Sequence, residues 1–126
     1  MPTFNDALRG YASPILKRDK YRCRYCGLDG ANSFNNWLTL TQDHLLPIGH
    51  EKREDPEFIV TACSFCNVAD NQYFKNADSR GITLEGKTPS ELVEQRLPFV
   101  LKTRNSYREF WAQNVAPKID CNDELL

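Results

Sequence analysis

Short apolar runs alternate with polar stretches along the chain, and the period of those runs changes from one region to the next. "TFNDALRG", residues 3–10, reads as a short helix with Thr3 as cap, Asp6 in the first turn and Gly10 as stop. "SPILKRDK" reads as another, opened by Ser13 and by Pro14 at the first helical position. "WLTLTQ" (37–42) alternates with the period of two that marks a half-buried strand, and "FIVTA" (58–62) is a β-branched second strand. Between them, Pro47 breaks any regular element. After Cys66, "NVADNQYF" loses the strand period and suits a helix with Val68, Tyr73 and Phe74 on its apolar side.

The longest pattern is helical and starts at Thr88, where Thr88, Pro89 and Glu91 supply a cap, a first-turn proline and a capping-box acid. Leu92, Leu97, Val100, Leu101, Tyr107, Phe110 and Trp111 then recur at roughly helical spacing, with a break expected near Pro98. The aromatics are expected to be core that closes the domain and not a base-stacking surface, with Lys102, Arg104 and Arg108 on a solvated face. The expected organisation is one domain over residues 1–116, with its core at about 20–75, a helical extension at about 88–115 and a flexible tail at 117–126. No run approaches the ~20 apolar residues of a membrane span, and "MPTFNDALRG" lacks the order of a signal peptide. The expected location is the cytoplasm, where paired cysteines bind metal more often than they form disulfides.

A net charge of −1 argues against a protein that coats nucleic acid, but the charge is unevenly distributed. Lys17, Arg18, Lys20, Arg22 and Arg24 crowd one stretch against Asp19, whereas "EKREDPE" (51–57) and "DCNDELL" are acidic. The basic stretch is the candidate for phosphate contacts, which give salt-dependent affinity but carry no sequence information.

Cys23-x-x-Cys26 and Cys63-x-x-Cys66 are two pairs at metal-ligand spacing. Two residues between thiolates let both sulfurs of a knuckle reach one ion, and two knuckles complete a tetrahedral zinc site. Cys121 has no such partner and receives no role. A plain ribbon separates its pairs by ~15–20 residues; here the longer insertion 27–62 lies between them, and it contains the adjacent Asp43 and His44. Asp43 offers a hard oxygen suited to Mg²⁺ or Mn²⁺. His44 points the other way if the strand persists, and an imidazole with an unperturbed pKa of ~6.5 can take a proton from water. Asn67, directly after the last cysteine, brings a carbonyl oxygen to the head of the next helix, with Asn71 on the same face.

"CRYCG", "LTLTQDHLLP" and "IVTACSFCN" together resemble the four-cysteine branch of the HNH, or ββα-metal, endonucleases, over roughly residues 20 to 75. The resemblance implies an α+β fold, a zinc-stabilised ββα-metal core with flanking N- and C-terminal helices. It implies structural Zn²⁺ on Cys23, Cys26, Cys63 and Cys66, and a catalytic Mg²⁺ or Mn²⁺ on Asp43 and Asn67. It also implies His44 as the residue that activates water, and DNA products with 5′-phosphate and 3′-hydroxyl ends. RNA as substrate stays open, as does a partner that supplies specificity; double-strand cutting would call for a homodimer or sequential nicks. His50 and Asn71 are candidate accessory residues.

Two positions depart from the family pattern. Glu57-Phe58 stand where the middle asparagine usually ties the loop, so another residue must do so. Asp70 replaces the lysine common four residues after the last cysteine, and is expected at the surface. The alternative reading is a zinc-stabilised nucleic-acid-binding module without catalysis. It needs the knuckles and the basic stretch but gives Asp43, His44 and Asn67 no joint purpose.

Overall fold

The computed structural model describes residues 13–116; the helix expected at 3–10, Cys121 and the tail expected at 117–126 lie outside the described residues. Helix α1 (Ser13–Arg18) leads into a knuckle carrying Cys23 and Cys26. Helix α2 (Phe34–Leu38), strand β1 (Leu40–His44), a 3-10 turn (Pro56–Phe58) and strand β2 (Ile59–Cys63) follow. Helix α3 (Ser64–Val68) and the short α4 (Tyr73–Asn76) come next. The long α5 (Pro89–Phe110) then continues as a π-helical turn over Trp111–Val115. The strands form a two-stranded antiparallel ribbon in which Leu40 faces Cys63 and His44 faces Ile59. With α3 this is a ββα unit, the α+β core that the resemblance implied.

The first strand begins later than its alternation suggests. Ser33 accepts from the Asn36 amide and caps a helical turn through Trp37 and Leu38, so cap chemistry wins over period and β1 starts at Leu40. Gly30 makes that approach feasible: a Cβ there would lie 2.5 Å from the Leu40 side chain and 2.9 Å from the Tyr21 carbonyl oxygen.

All five residues of β2 are buried because the chain around α1 covers its outer edge. The Thr61 amide donates to Asp19 (2.8 Å), and the Thr61 carbonyl accepts from the Arg24 amide (2.9 Å). Arg18 donates to the carbonyls of Pro56 (2.9 Å) and Ile59 (2.7 Å) and, like Arg24, pairs with Asp19. Arg22 is held by Asp29 and the Gly27 carbonyl. Three of the five cations expected to face nucleic acid are therefore engaged in the fold, Arg18 and Arg24 beside an edge strand whose polar groups need partners and Arg22 within the knuckle segment. Lys17 and Lys20 are exposed.

Helix α5 opens with the expected capping box, Thr88 with Glu91. It buries Leu92, Val93, Arg96 and Val100, one face at helical spacing, against a core that includes Tyr25, Leu45, Leu46, Phe58, Val60 and Ala62. Leu16 and Leu40 form a smaller cluster. Contrary to expectation, α5 runs unbroken through Pro98. Pro98 and Glu94 are both exposed, so water can serve the carbonyl that the proline leaves without a donor. The aromatics are a second correction. Beyond Val100 no residue of α5 is buried, and Tyr107, Phe110 and Trp111 are 64%, 62% and 51% exposed. Val68, at the end of α3, is exposed too, while Tyr73 is buried as expected.

Burial alone would raise the Asp19 carboxyl. The hydrogen bonds from Arg18 and the Thr61 amide, with the charge of Arg18, outweigh it and hold the group below the usual carboxylate range. A depressed folded-state pKa adds stability above the unfolded-state value near ~3.9, lost as pH falls through the folded value. Asp19→Asn should therefore cost about 2–3 kcal/mol at pH 7 in denaturant melts, and the wild-type advantage should shrink below about pH 4 as Asp19 protonates.

Candidate metal centre and catalytic cavity

The four knuckle sulfurs lie within 4.8 Å of one another, and Cys26 Sγ is 3.8 Å from Cys63 Sγ. A tetrahedral zinc with Zn–S of about 2.3 Å has sulfur–sulfur edges of about 3.8 Å, so the Cys26–Cys63 edge matches the ion's and no other pair exceeds it by more than about 1 Å. The amides of Cys26 and Cys66 donate to the sulfurs of Cys23 and Cys63, the turn that aims each pair at one point. Hydrogen bonds from Cys63 and Cys66 push the Cys23 thiol far down. The same sharing pushes Cys63 up to about 11 and Cys66 higher still. These features support structural zinc. Arg104 of α5 lies beside the cluster; burial would lower its pKa, but Cys26, Cys66 and Cys63 hold it up.

Asp43, His44, Asn67 and Asn71 all line one cavity of about 210 Å³, together with Arg53, Asp70, Tyr73, Phe74 and Arg96. Thr41 and Asp43 share one face of β1, and His44, at its last position, alternates away. His44 consequently also borders a second cavity, with Gln42, Glu54 and Ile59, and its Nε2 lies 3.4 Å from Glu54 Oε2. Asn67 donates from Nδ2 to Thr41 Oγ1 (2.8 Å) and to the Gln42 carbonyl (3.2 Å), which fixes the amide and turns Oδ1 the other way.

Asp43 is 3% exposed. Tyr25 donates its hydroxyl to Oδ2 at 2.6 Å, and Arg96 Nη1 approaches Oδ1 at 3.1 Å and Oδ2 at 3.3 Å. Burial pushes the Asp43 carboxyl up, while the Arg96 charge and the Tyr25 hydrogen bond oppose it. The Tyr25 hydroxyl is itself pushed up by burial and then by the charge of Asp43. Arg96, equally buried, lies over the rings of Tyr73 (5.1 Å) and Phe74 (5.5 Å).

Residues 23–72 match the HNH endonuclease family model. The chain carries an HNH domain. No curated protein and no solved structure matches it.

The structure of the HNH domain supplies the residue left open by the sequence reading and departs from that reading at Asp70, Asn71 and His50. The loop lacking its asparagine is tied by Arg53, which donates to the Leu46 carbonyl at 2.7 Å, and by the Leu45 amide on the Phe58 carbonyl. Asp70 is not plain surface, for it borders the cavity and pairs with Arg80 at 2.6 Å. Helix α3 ends at Val68, so Asn71 reaches the cavity from the following turn and not from the helix face of Asn67. His50 lies elsewhere, in a cavity with Leu46, Lys52, Phe58 and Glu85; its Nδ1 accepts from the Lys52 amide, and it does not border the cavity of His44. Arg96 and Tyr25 were missed. Tyr25 sits inside the first Cys-x-x-Cys, and the one signal for Arg96 was a cation at a core position of α5, four residues after Leu92 and four before Val100. Helix α5 is also outside the matched segment.

Two outcomes test this arrangement. Stripping zinc with a strong chelator should abolish the cooperative thermal transition, since such binding is worth about 10–16 kcal/mol of folding free energy; a metal-free chain melting like the untreated protein would contradict it. Arg96→Met should destabilise by about 3–5 kcal/mol through the unpaired buried carboxylate, and adding Asp43→Asn should recover part of that loss.

Proposed function

We propose that the chain is a metal-dependent endonuclease that hydrolyses phosphodiester bonds of DNA at the cavity of Asp43, His44 and Asn67. The observation that carries this reading is the convergence of those three side chains on one cavity, with the Asn67 amide oriented by its own hydrogen bonds. A carboxylate offers about four acceptor positions. Oδ1 of Asp43 accepts one hydrogen bond, from Arg96, and so retains acceptor capacity, and Asn67 lines the same cavity. Two hard oxygens fit Mg²⁺ or Mn²⁺ better than a soft metal. A cation held there would neutralise charge on the phosphate and on the departing 3′-oxygen.

The chain's own residues supply the rest. Nε2 of His44 lies 3.4 Å from Glu54; with its N–H donating to that carboxylate, Nδ1 would be the base. As water oxygen bonds to phosphorus, Nδ1 takes its proton, the P–O3′ bond breaks and the 3′-oxygen is protonated from solvent. The products are a 5′-phosphate and a 3′-hydroxyl. Arg96 and Tyr25 act through Asp43, holding its carboxylate in one orientation. Lys17 and Lys20 are the members of the basic stretch left to meet phosphates. The binding-module alternative leaves the fixed orientation of Asn67 beside Asp43 and His44 without a purpose.

Zinc-loaded protein should nick supercoiled plasmid when Mg²⁺ or Mn²⁺ is added and not otherwise. His44→Ala should lose about 10²-fold or more of that rate with zinc content and melting unchanged. Equal inertness of both proteins, with plasmid still bound, would replace the enzyme with the binding module.

A further inference from the structure

The outer part of α5 presents a surface that the catalytic reading does not use. Phe65 of α3, with Arg104, Tyr107, Arg108 and Trp111 of α5 and its π-turn, lines a groove of about 420 Å³. The Phe65 and Tyr107 rings meet edge to face, with centroids 4.9 Å apart, and the Arg104 guanidinium lies 5.6 Å over Phe65. Tyr107 and Trp111 are both more than half exposed. Among the described residues, two guanidiniums and three rings line the groove, and no carboxylate does.

We propose that this groove binds a stretch of unpaired nucleic-acid bases, stacked on Tyr107 and Trp111 with their phosphates at Arg104 and Arg108. Interleaved aromatic and cationic side chains are the composition that holds single strands, because every base has a face to stack and every nucleotide a charge to neutralise. Charge also decides between occupants. A second copy docked by a twofold axis would set the same guanidiniums of both chains against one interface, whereas a polyanion complements them. Phe65 and Asn67 are two residues apart on α3, about 200° around the helix, so groove and catalytic cavity lie on opposite sides of it. A substrate reaching both would carry a single-stranded segment next to the bond to be cut, as gapped, frayed or branched DNA does. That choice of substrate rests on the nuclease reading; the binding itself does not.

The test uses the full, zinc-loaded chain without added magnesium, titrated into fluorescein-labelled oligodeoxythymidine or the matching duplex and followed by anisotropy. Trp111→Ala and Arg108→Ala should each weaken oligodeoxythymidine binding about tenfold, Trp111→Phe should weaken it much less, and duplex binding should change little. Melting and zinc content guard against misfolding. Unaltered oligodeoxythymidine affinity in Trp111→Ala would overturn the proposal, as would loss of a dimer in sedimentation without loss of that affinity. Plasmid nicking is scored separately: a Trp111-dependent binder that never nicks keeps the groove and loses the nuclease, and a nicking enzyme indifferent to Trp111 does the reverse.

Discussion

The mutual approach of four sulfurs, two from each end of a long insertion, is the constraint from which the remaining geometry follows. Cys63 shows why. It ends β2, stands opposite Leu40 in the ribbon, and accepts from the Cys66 amide as the cap of α3. A ligand, a strand end and a helix start thus coincide in one residue, and Asn67 follows one position after the last sulfur. The cluster therefore sets where the Asn67 amide meets Thr41 and Gln42, and through them where it lies relative to Asp43. Two five-residue strands and a five-residue helix could not hold that relation by packing alone, since elements this short are marginal without a tether.

The second requirement is electrostatic. A carboxylate taken out of water is stable only when paired and hydrogen-bonded, and Asp43 receives both from Arg96 and Tyr25. Arg96 is held in turn by the two rings against which it lies. The pairing also lowers the net negative charge that Asp43 alone would present.

Much of this was legible where local chemistry decides the outcome. The cysteine spacing led to the sulfur cluster, the β-branched "FIVTA" to β2, and the Thr88–Glu91 box to the start of α5. Asp43, His44 and Asn67 line one cavity, and the cysteine frame, with the family resemblance, had pointed to all three although strand parity turns His44 away from Asp43. What escaped was non-local. The basic stretch looked like a phosphate-binding face, yet Arg18, Arg22 and Arg24 serve carbonyls and acids up to forty-one positions away in sequence, as with Arg18 and Ile59. The aromatics of α5 have helical period whether or not anything covers them, and period cannot say where a core ends. Pro98 suggested a break because sequence does not reveal that Glu94 faces solvent.

Arg96 carries a last implication, for how such a domain could be moved between proteins. The recognisable segment stops at residue 72, but the counter-charge of its buried acid arrives from a helix that begins at Pro89. A graft cut at the motif's border would leave behind Tyr73, Phe74 and Arg96 of the cavity, and with Arg96 the counter-charge that makes Asp43 tolerable in the interior. The transplantable module is the motif with α5 through Val100, and the boundary that matters to the chain is drawn by an ion pair and not by a pattern.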